Sequence, residues 1–354
     1  MSHDIPAPML AKAVSAIPDP AKHPGGLIFE PKWDGFRVLV SWDGESVELG
    51  SRGAKPLTPY FPELVEALAR ILPGPCLIDG EIVIAVGPEG SQRLSWDTLS
   101  QRIHPAASRI AKLSTETPAM LIAFDLLSVG DESLMDLPFR ERRARLEELL
   151  QDAPHPVHLT RTTEDPELAQ RWLEQFEGAG LDGVVAKPAD QPYAPNKRTM
   201  LKVKHARTAD VVAVGYRVHK SGRGVGSLLV GLHDASGTLH NVGGVSAFSD
   251  KRRRELIDEL EPLVERGESG EILRREGERS RFSASKDVSF VPLRPERVLE
   301  VRYDQLEGDP SRFARFRHTV QFERWRPDRD PASCRFDQLE VPAKYDLADV
   351  ISSF

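Results

Sequence analysis

The sequence predicts an α+β protein in two parts. The first, over residues 1–204, is built from strands with flanking helices, and the second, over 210–354, is a small β-barrel. Three observations lead there. The chain has 354 residues, 40% of them hydrophobic, which is too long for one small domain and comfortable for two. The first part alternates apolar, β-branched runs with stretches of helical period. Beyond Ala209 the texture changes to short strands between Gly/Ser/Asp turns, with one helix among them. The boundary therefore falls at 205–209.

Taken in order, the proline-rich start reads as irregular until Gly26. In "FRVLVSW", Phe36, Val38, Val40 and Trp42 share one face and Arg37, Leu39 and Ser41 the other, the signature of a strand, with "ESVELGSRG" as its partner. "PELVEALARIL" has helical period and stops before Pro73 and Gly74. "CLIDGEIVIAV" and "MLIAFDLLSV" read as buried strands. "FRERRARLEELLQ" and "PELAQRWLEQFEGAG" read as amphipathic helices, the second stopped by glycines. "LDGVVAKP" and "MLKVKHA" are two further strands. In the second part, "SDKRRRELIDELEPLVERG" is the helix.

Composition narrows the function classes. The formal net charge is -7, so a nucleic-acid partner would have to be met by a local basic face. Cys76 and Cys334 stand far apart with no zinc spacing and read as free thiols. The start, "MSHDIPAPMLAKAVSAIPDP", has no long apolar run, so neither a signal peptide nor a membrane span is expected there, and the default compartment is the cytoplasm.

The triplet Trp-Asp-Gly occurs twice, at Trp33–Gly35 and Trp42–Gly44. The second copy lies between alternating runs and reads as a hairpin turn. The first follows Lys32 and an apolar run. Standing alone, Lys-x-Asp-Gly marks a surface turn. Here it has company in a fixed order: "SRG" at Ser51–Gly53, "LIDGEIV" at Leu77–Val83, "AFDLL" at Ala123–Leu127, "LDGVVAK" at Leu181–Lys187 and "MLKVK" at Met200–Lys204.

This ordered set resembles the motifs of the covalent nucleotidyltransferases, the superfamily of DNA ligases, RNA ligases and mRNA capping enzymes. The resemblance implies an adenylation domain of antiparallel sheets and flanking helices, followed by an oligonucleotide-binding (OB) barrel. The chemistry accounts for the residue types. A lysine amine must attack the α-phosphorus of a nucleoside triphosphate, and with an ordinary pKa near 10.4 only roughly 0.1% of it is neutral at physiological pH. Desolvation or neighbouring positive charge must favour the neutral form. Carboxylates hold a divalent cation, and further cations clamp the phosphates.

By the resemblance, Lys32 forms the covalent lysyl-AMP. Glu30 and Phe124 contact adenine, Phe124 by stacking. Arg37 and Arg52 contact the sugar and phosphate. Glu81 is the ribose or metal-side carboxylate, and Asp182 takes the other metal position. There the shorter Asp replaces the commoner Glu, which leaves room for water between it and the cation. Lys202 and Lys204 match the pair beside the α-phosphate. "RPDR" at Arg326–Arg329 resembles the last motif of the family, in which Arg326, Asp328 and Arg329 orient pyrophosphate. It lies in "RFARFRHTVQFERWRPDRDP", whose many arginines and aromatics have few acids beside them and read as a phosphate-facing surface. The implied cycle has the second domain swing toward the first for adenylation and away to embrace DNA, about a hinge at 205–209.

Within the superfamily, "SRG", "AFDLL" and "SWDTLSQRIHP" (Ser95–Pro105) look like ATP-dependent DNA ligases, and "FRHTVQFERWRPDRDPASC" like the compact bacterial LigC type. The expectation is ATP as the source of AMP, Mg2+ or Mn2+ as the ion, and nicked duplex DNA as the substrate. It extends to a monomer in the bacterial cytoplasm, at the nucleoid when in use, with repair polymerases or nucleases as possible auxiliaries. The alternatives are an RNA ligase, a capping guanylyltransferase, or a catalytically dead OB scaffold. "GRGVG" at Gly222–Gly226 lacks the Lys-Ser/Thr of a P-loop and reads as a turn. "KRRR" at Lys251–Arg254 reads as a phosphate contact or a solvated helix start.

Overall fold

A computed structural model describes residues 5–51, 56–277, 288–309 and 311–351. The chain forms two compact units. The first comprises Met1–Lys204 together with Pro342–Phe354, and the second His205–Val341. Residues 342–354 were expected with the second part. They belong to the first because Leu347 and Val350 fill its core. The chain therefore crosses between the units twice, at 204/205 and again at 341/342.

The first unit holds two main sheets. Its strands are β1 (Leu10–Val14), β2 (Leu27–Pro31), β3 (Phe36–Trp42), β4 (Val47–Ser51), β5 (Cys76–Val83), β6 (Met120–Val129), β7 (Val157–Leu159), β8 (Val184–Pro188) and β9 (Arg198–Val203). One sheet runs β1-β9-β8-β2 and the other β7-β6-β5-β3-β4. The pairing is antiparallel throughout except β1 with β9 and β7 with β6. Helices α1 (Pro62–Ile71), α2 (Ala107–Glu116), α3 (Phe139–Leu150) and α4 (Pro166–Gln175) flank these sheets. Asp165 caps α4 by accepting from the Glu167 N–H.

One local expectation changes. Leu10–Val14, read as irregular, is an edge strand, because partner Arg198–Val203 supplies its hydrogen bonds and overrides a weak local pattern. The strand expected over "CLIDGEIVIAV" is β5, and Asp79-Gly80 lies inside it. Gly80 is there for closeness: a Cβ on it would come within 2.7 Å of the Ile122 carbonyl oxygen. The hairpin reading of Trp42–Gly44 holds, with Asp43 accepting from the N–H groups of Glu45 and Ser46 and Gly44 at φ +96°.

The second unit is a curled sheet whose centre is β10 (Arg207–Val218). It pairs with β11 (Val225–His233), β13 (Ser289–Pro292) and β14 (Val298–Tyr303). The long strand shifts register between Ala213 and Gly215, and its two ends take different partners. β12 (Leu239–Val245) continues from β11, and β17 (Gln321–Trp325) from β14. A hairpin of β15 (Leu306–Asp309) and β16 (Phe313–Phe316) lies between them in sequence, and helix α5 (Asp250–Leu260) starts on a Ser249 cap. Val211, Val230, Val242, Leu256, Val301 and Phe316 are among its core residues. Among the described residues no helix is long and apolar enough to cross a membrane.

Candidate active site

A cleft in the first unit is lined by Glu30, Lys32, Arg37, Glu81, Phe124, Lys187 and Lys202, with Met9, Val185 and Met200 among its apolar walls. Lys32 is fixed just beyond the end of β2. Its N–H donates to the Gly183 carbonyl at 2.8 Å, and its own carbonyl accepts from the Asp182 N–H at 2.8 Å. The close strand approach explains two glycines. A Cβ on Gly35 would lie 2.1 Å from the Ile82 carbonyl oxygen, and one on Gly183, at φ +128°, 2.0 Å from that of Val203. Trp33 is buried and donates from Nε1 to Thr160 Oγ1 at 2.8 Å, anchoring the residue next to the lysine.

Two lysines share one carboxylate, and a third feels their charge. Lys32 Nζ donates to Asp182 Oδ2 at 2.5 Å, and Lys204 Nζ lies 2.9 Å from the same oxygen. The charged form of Lys202 is disfavoured, first by burial and then by the positive charges of Lys32 and Lys204. Glu81 accepts from the Gly35 N–H at 3.2 Å. Burial pushes its carboxyl up to about 7, against the opposing pull of Lys32 and Arg37.

The inner wall is a second charge cluster. Glu30 is 3% exposed and its Oε2 lies 2.8 Å from Lys187 Nζ, while its Oε1 is buried with no hydrogen-bond partner among the described residues. Burial holds the Glu30 carboxyl above its ordinary value, although Lys187 opposes it. Lys187 Nζ sits 4.7 Å from the Phe124 ring centroid and 4.4 Å from that of Phe139. Arg37 lies 4.7 Å from the centre of the Phe124 ring and grips Asp79 with two hydrogen bonds of 2.6 Å. Tyr193 donates a third, also 2.6 Å, to the same carboxylate.

The site residues of the first unit thus converge: Glu30, Lys32, Arg37, Glu81, Phe124 and Lys202 line one cleft, Asp182 pairs with Lys32, and Lys204 pairs with the same carboxylate. Arg52 lies outside the described residues. Lys187, Asp79 and Tyr193 went unnoticed in the sequence. The signal for Asp79 was present, since it is two residues from Glu81 on one strand and so shares its face.

In the second unit, Arg326 pairs with Asp210 at 3.0 Å and with Asp328 at 2.8 Å, and Arg329 pairs with Asp210 at 3.1 Å. The expected shortage of acids around this arginine-rich segment is not found. Neighbouring strands supply them: Glu307 for Arg315 and Glu300 for Arg324. "GRGVG" is a turn, with the Gly222 N–H on the His219 carbonyl. In "KRRR", Arg253 donates to the carbonyls of Val225 and Gly226, and Arg252 pairs with Glu255 and Glu259.

Residues 8–204 match the family model described as the ATP dependent DNA ligase domain, and residues 221–329 match the ATP dependent DNA ligase C terminal region. The chain belongs to the ATP-dependent DNA ligases. It is 54% identical to DNA ligase C1 of Mycolicibacterium smegmatis, over 97% of this chain and 96% of that protein. Identity to DNA ligase C of Mycobacterium tuberculosis is 51%, over 98% and 96%. This places the ligase in the compact bacterial LigC type. Two solved structures share the fold. One, titled as an analysis of Lig E DNA ligases, has a TM-score of 0.53 at 19% identity, covering 90% of this chain and 98% of that one. The other, Pmar-Lig_PreS3, has a TM-score of 0.63 at 17% identity, covering 91% and 68%. The α+β expectation for the ligase is met, with a nucleotidyltransferase first unit and an OB-type second unit.

Proposed function

We propose that the ligase seals nicks in duplex DNA through an adenylate carried on Lys32. The observation that carries this reading is the shared cleft. An amine pinned by Asp182 faces the same cavity as Phe124 and the buried Glu30. Phe124 offers an aromatic surface to adenine, and Glu30 Oε1, unpartnered among the described residues, is an acceptor for its amino group. Arg37, fixed by Asp79, stands ready for the ribose and phosphate side.

Attack requires the neutral amine. The positive charges of Lys32 and Lys204 disfavour the charged form of Lys202, and Asp182 holds the Lys32 nitrogen in place until it attacks. Lys32 then bonds to the α-phosphorus, and the bond to pyrophosphate breaks. Arg326, paired with Asp328, and Arg329 are assigned to the leaving pyrophosphate. The AMP next passes to the 5′-phosphate at the nick, and the 3′-hydroxyl displaces it to join the strand.

Among the described residues no group of three His, Cys, Asp or Glu side chains forms a metal cage. A Mg2+ or Mn2+ ion that keeps several waters needs only one or two carboxylates plus phosphate oxygens. Asp182 and Glu81 fit that requirement, and the ion supplies charge neutralisation of the triphosphate. The ligase acts as a monomer on nicked DNA in the bacterial cytoplasm.

ATP labelled in its α-phosphate should attach label to the protein covalently, and labelled NAD should not. The labelled enzyme should convert a nicked duplex into a longer strand. Label retained in Lys32→Ala contradicts the role given to Lys32.

A further inference from the structure

We propose that the returning segment Pro342–Ile351 is a positioning element for Lys32, so that the adenylation site is incomplete without chain that follows the second unit. The proposal rests on the reading of Lys32 as the nucleophile. Its short helix, α6 (Leu347–Ile351), inserts Leu347 and Val350, 1% and 0% exposed, into the core cluster that also contains Phe29, Trp33, Val83 and Leu181. Three of those neighbours flank the chemistry in sequence. Trp33 follows Lys32, Leu181 precedes Asp182, and Val83 is two residues beyond Glu81.

Polar contacts hold the segment in one register. The Leu347 N–H donates to the Gln92 carbonyl at 2.8 Å, and the Gln92 N–H returns a bond to Asp346 Oδ1 at 3.1 Å. Arg161 donates to the carbonyl of Val350 at 2.6 Å and to that of Asp349. Arg161 follows Thr160, the acceptor for the Trp33 indole. One short path of bonded groups thus joins the segment to the residue beside Lys32.

A second path runs through the turn Phe176–Ala179, which leads directly to Asp182. Tyr345 packs on Phe176 with ring centroids 5.2 Å apart. The segment's backbone lies so near that a Cβ on Gly178 would fall 1.8 Å from the Ala343 carbonyl oxygen. On its other side this turn is pressed against Leu94, whose carbonyl oxygen would lie 2.8 Å from a Cβ on Gly180. Without the segment, the turn and Trp33 lose a packed wall. In-line attack tolerates little such freedom, since a displacement of about 1 Å can cost on the order of 100-fold.

The test compares the full chain with a chain ending at Val341, by two single-turnover rates. One is labelling of Lys32 from α-labelled ATP. The other is closure of a nick that already carries its 5′-adenylate, in which Lys32 is not the nucleophile. The shortened chain is expected to lose at least about tenfold in labelling at saturating ATP. Its closure rate should stay within about threefold, and added peptide of residues 342–351 should restore labelling. Full-rate labelling, or an equal fall in both rates, overturns the proposal. Should the shortened chain fail to melt cooperatively, Leu347→Ser and Arg161→Gln in the full chain decide by the same two rates, with Leu347→Met expected to behave as the full chain. If the full chain itself does not label on Lys32, the reading of that lysine fails instead, and closure of the pre-adenylated nick shows which has occurred.

Discussion

Lys32 Nζ and Asp182 Oδ2 are 2.5 Å apart although 150 residues separate them in sequence. The backbone makes the pair, because Lys32 and Asp182–Gly183 exchange two main-chain hydrogen bonds before their side chains meet. Asp182→Asn keeps the shape but leaves two lysines without their shared counter-charge. It is expected to slow single-turnover labelling from ATP by roughly 100-fold, whereas Asp182→Glu should stay within about tenfold. Equal rates in the wild type and Asp182→Asn would show that the carboxylate does not position the amine.

Glu30 and Lys187 form a buried pair, each side chain 4% exposed. Removing one partner strands the other charge, which typically costs about 3–5 kcal/mol. Lys187→Met should therefore lower unfolding free energy by that order in urea titrations. The double variant Lys187→Met/Glu30→Gln should recover a substantial part of it. A single variant as stable as the wild type would mean that Glu30 is already neutral.

Phe124 is 7% exposed and its ring lines the cleft. Base stacking on an aromatic is worth about 1–3 kcal/mol. Phe124→Ala should raise the ATP concentration for half-maximal labelling by at least about fivefold. An unchanged concentration dependence would remove Phe124 from the adenine side.

His158, next to His155 at a sheet edge, is held down to about 4 by burial and then by the charge of His155. The folded protein thus keeps it neutral, while the unfolded chain protonates it near the ordinary value of 6.5. Its contribution to stability is complete above 6.5 and is lost as pH falls toward 4. With allowance for partial solvent screening, the loss is on the order of 1–2 kcal/mol. The stability gap between wild type and His158→Gln should shift by that amount between pH 7.5 and pH 4.5. A pH-independent gap would show that His158 titrates alike in both states.

Much of the site was legible because its residues lie in short strings whose order is fixed by the chain. Lys32, Glu81, Asp182 and Lys202 could each be read from a few neighbours. What escaped was the set of partners that only pairing brings together. Lys187 stood within a quoted string, yet its ion pair with Glu30 depends on β8 lying against β2. That β5 holds a glycine was plain in the sequence, but the strand contact that requires it at Gly80 was not. The edge strand Leu10–Val14 exists only through its partner. The return of Leu347 to the first unit was invisible, because its apolar spacing fits either core. The arginines of β16 and β17 looked uncompensated because their acids lie on other strands.

The central claim is a covalent adenylate on Lys32, and intact-mass measurement with peptide mapping tests it most directly. After incubation with ATP, the protein should gain one AMP on the peptide containing Lys32. Pyrophosphate should remove it, and Lys32→Ala should never acquire it. An adduct on any other residue, or one that survives pyrophosphate, would contradict the account.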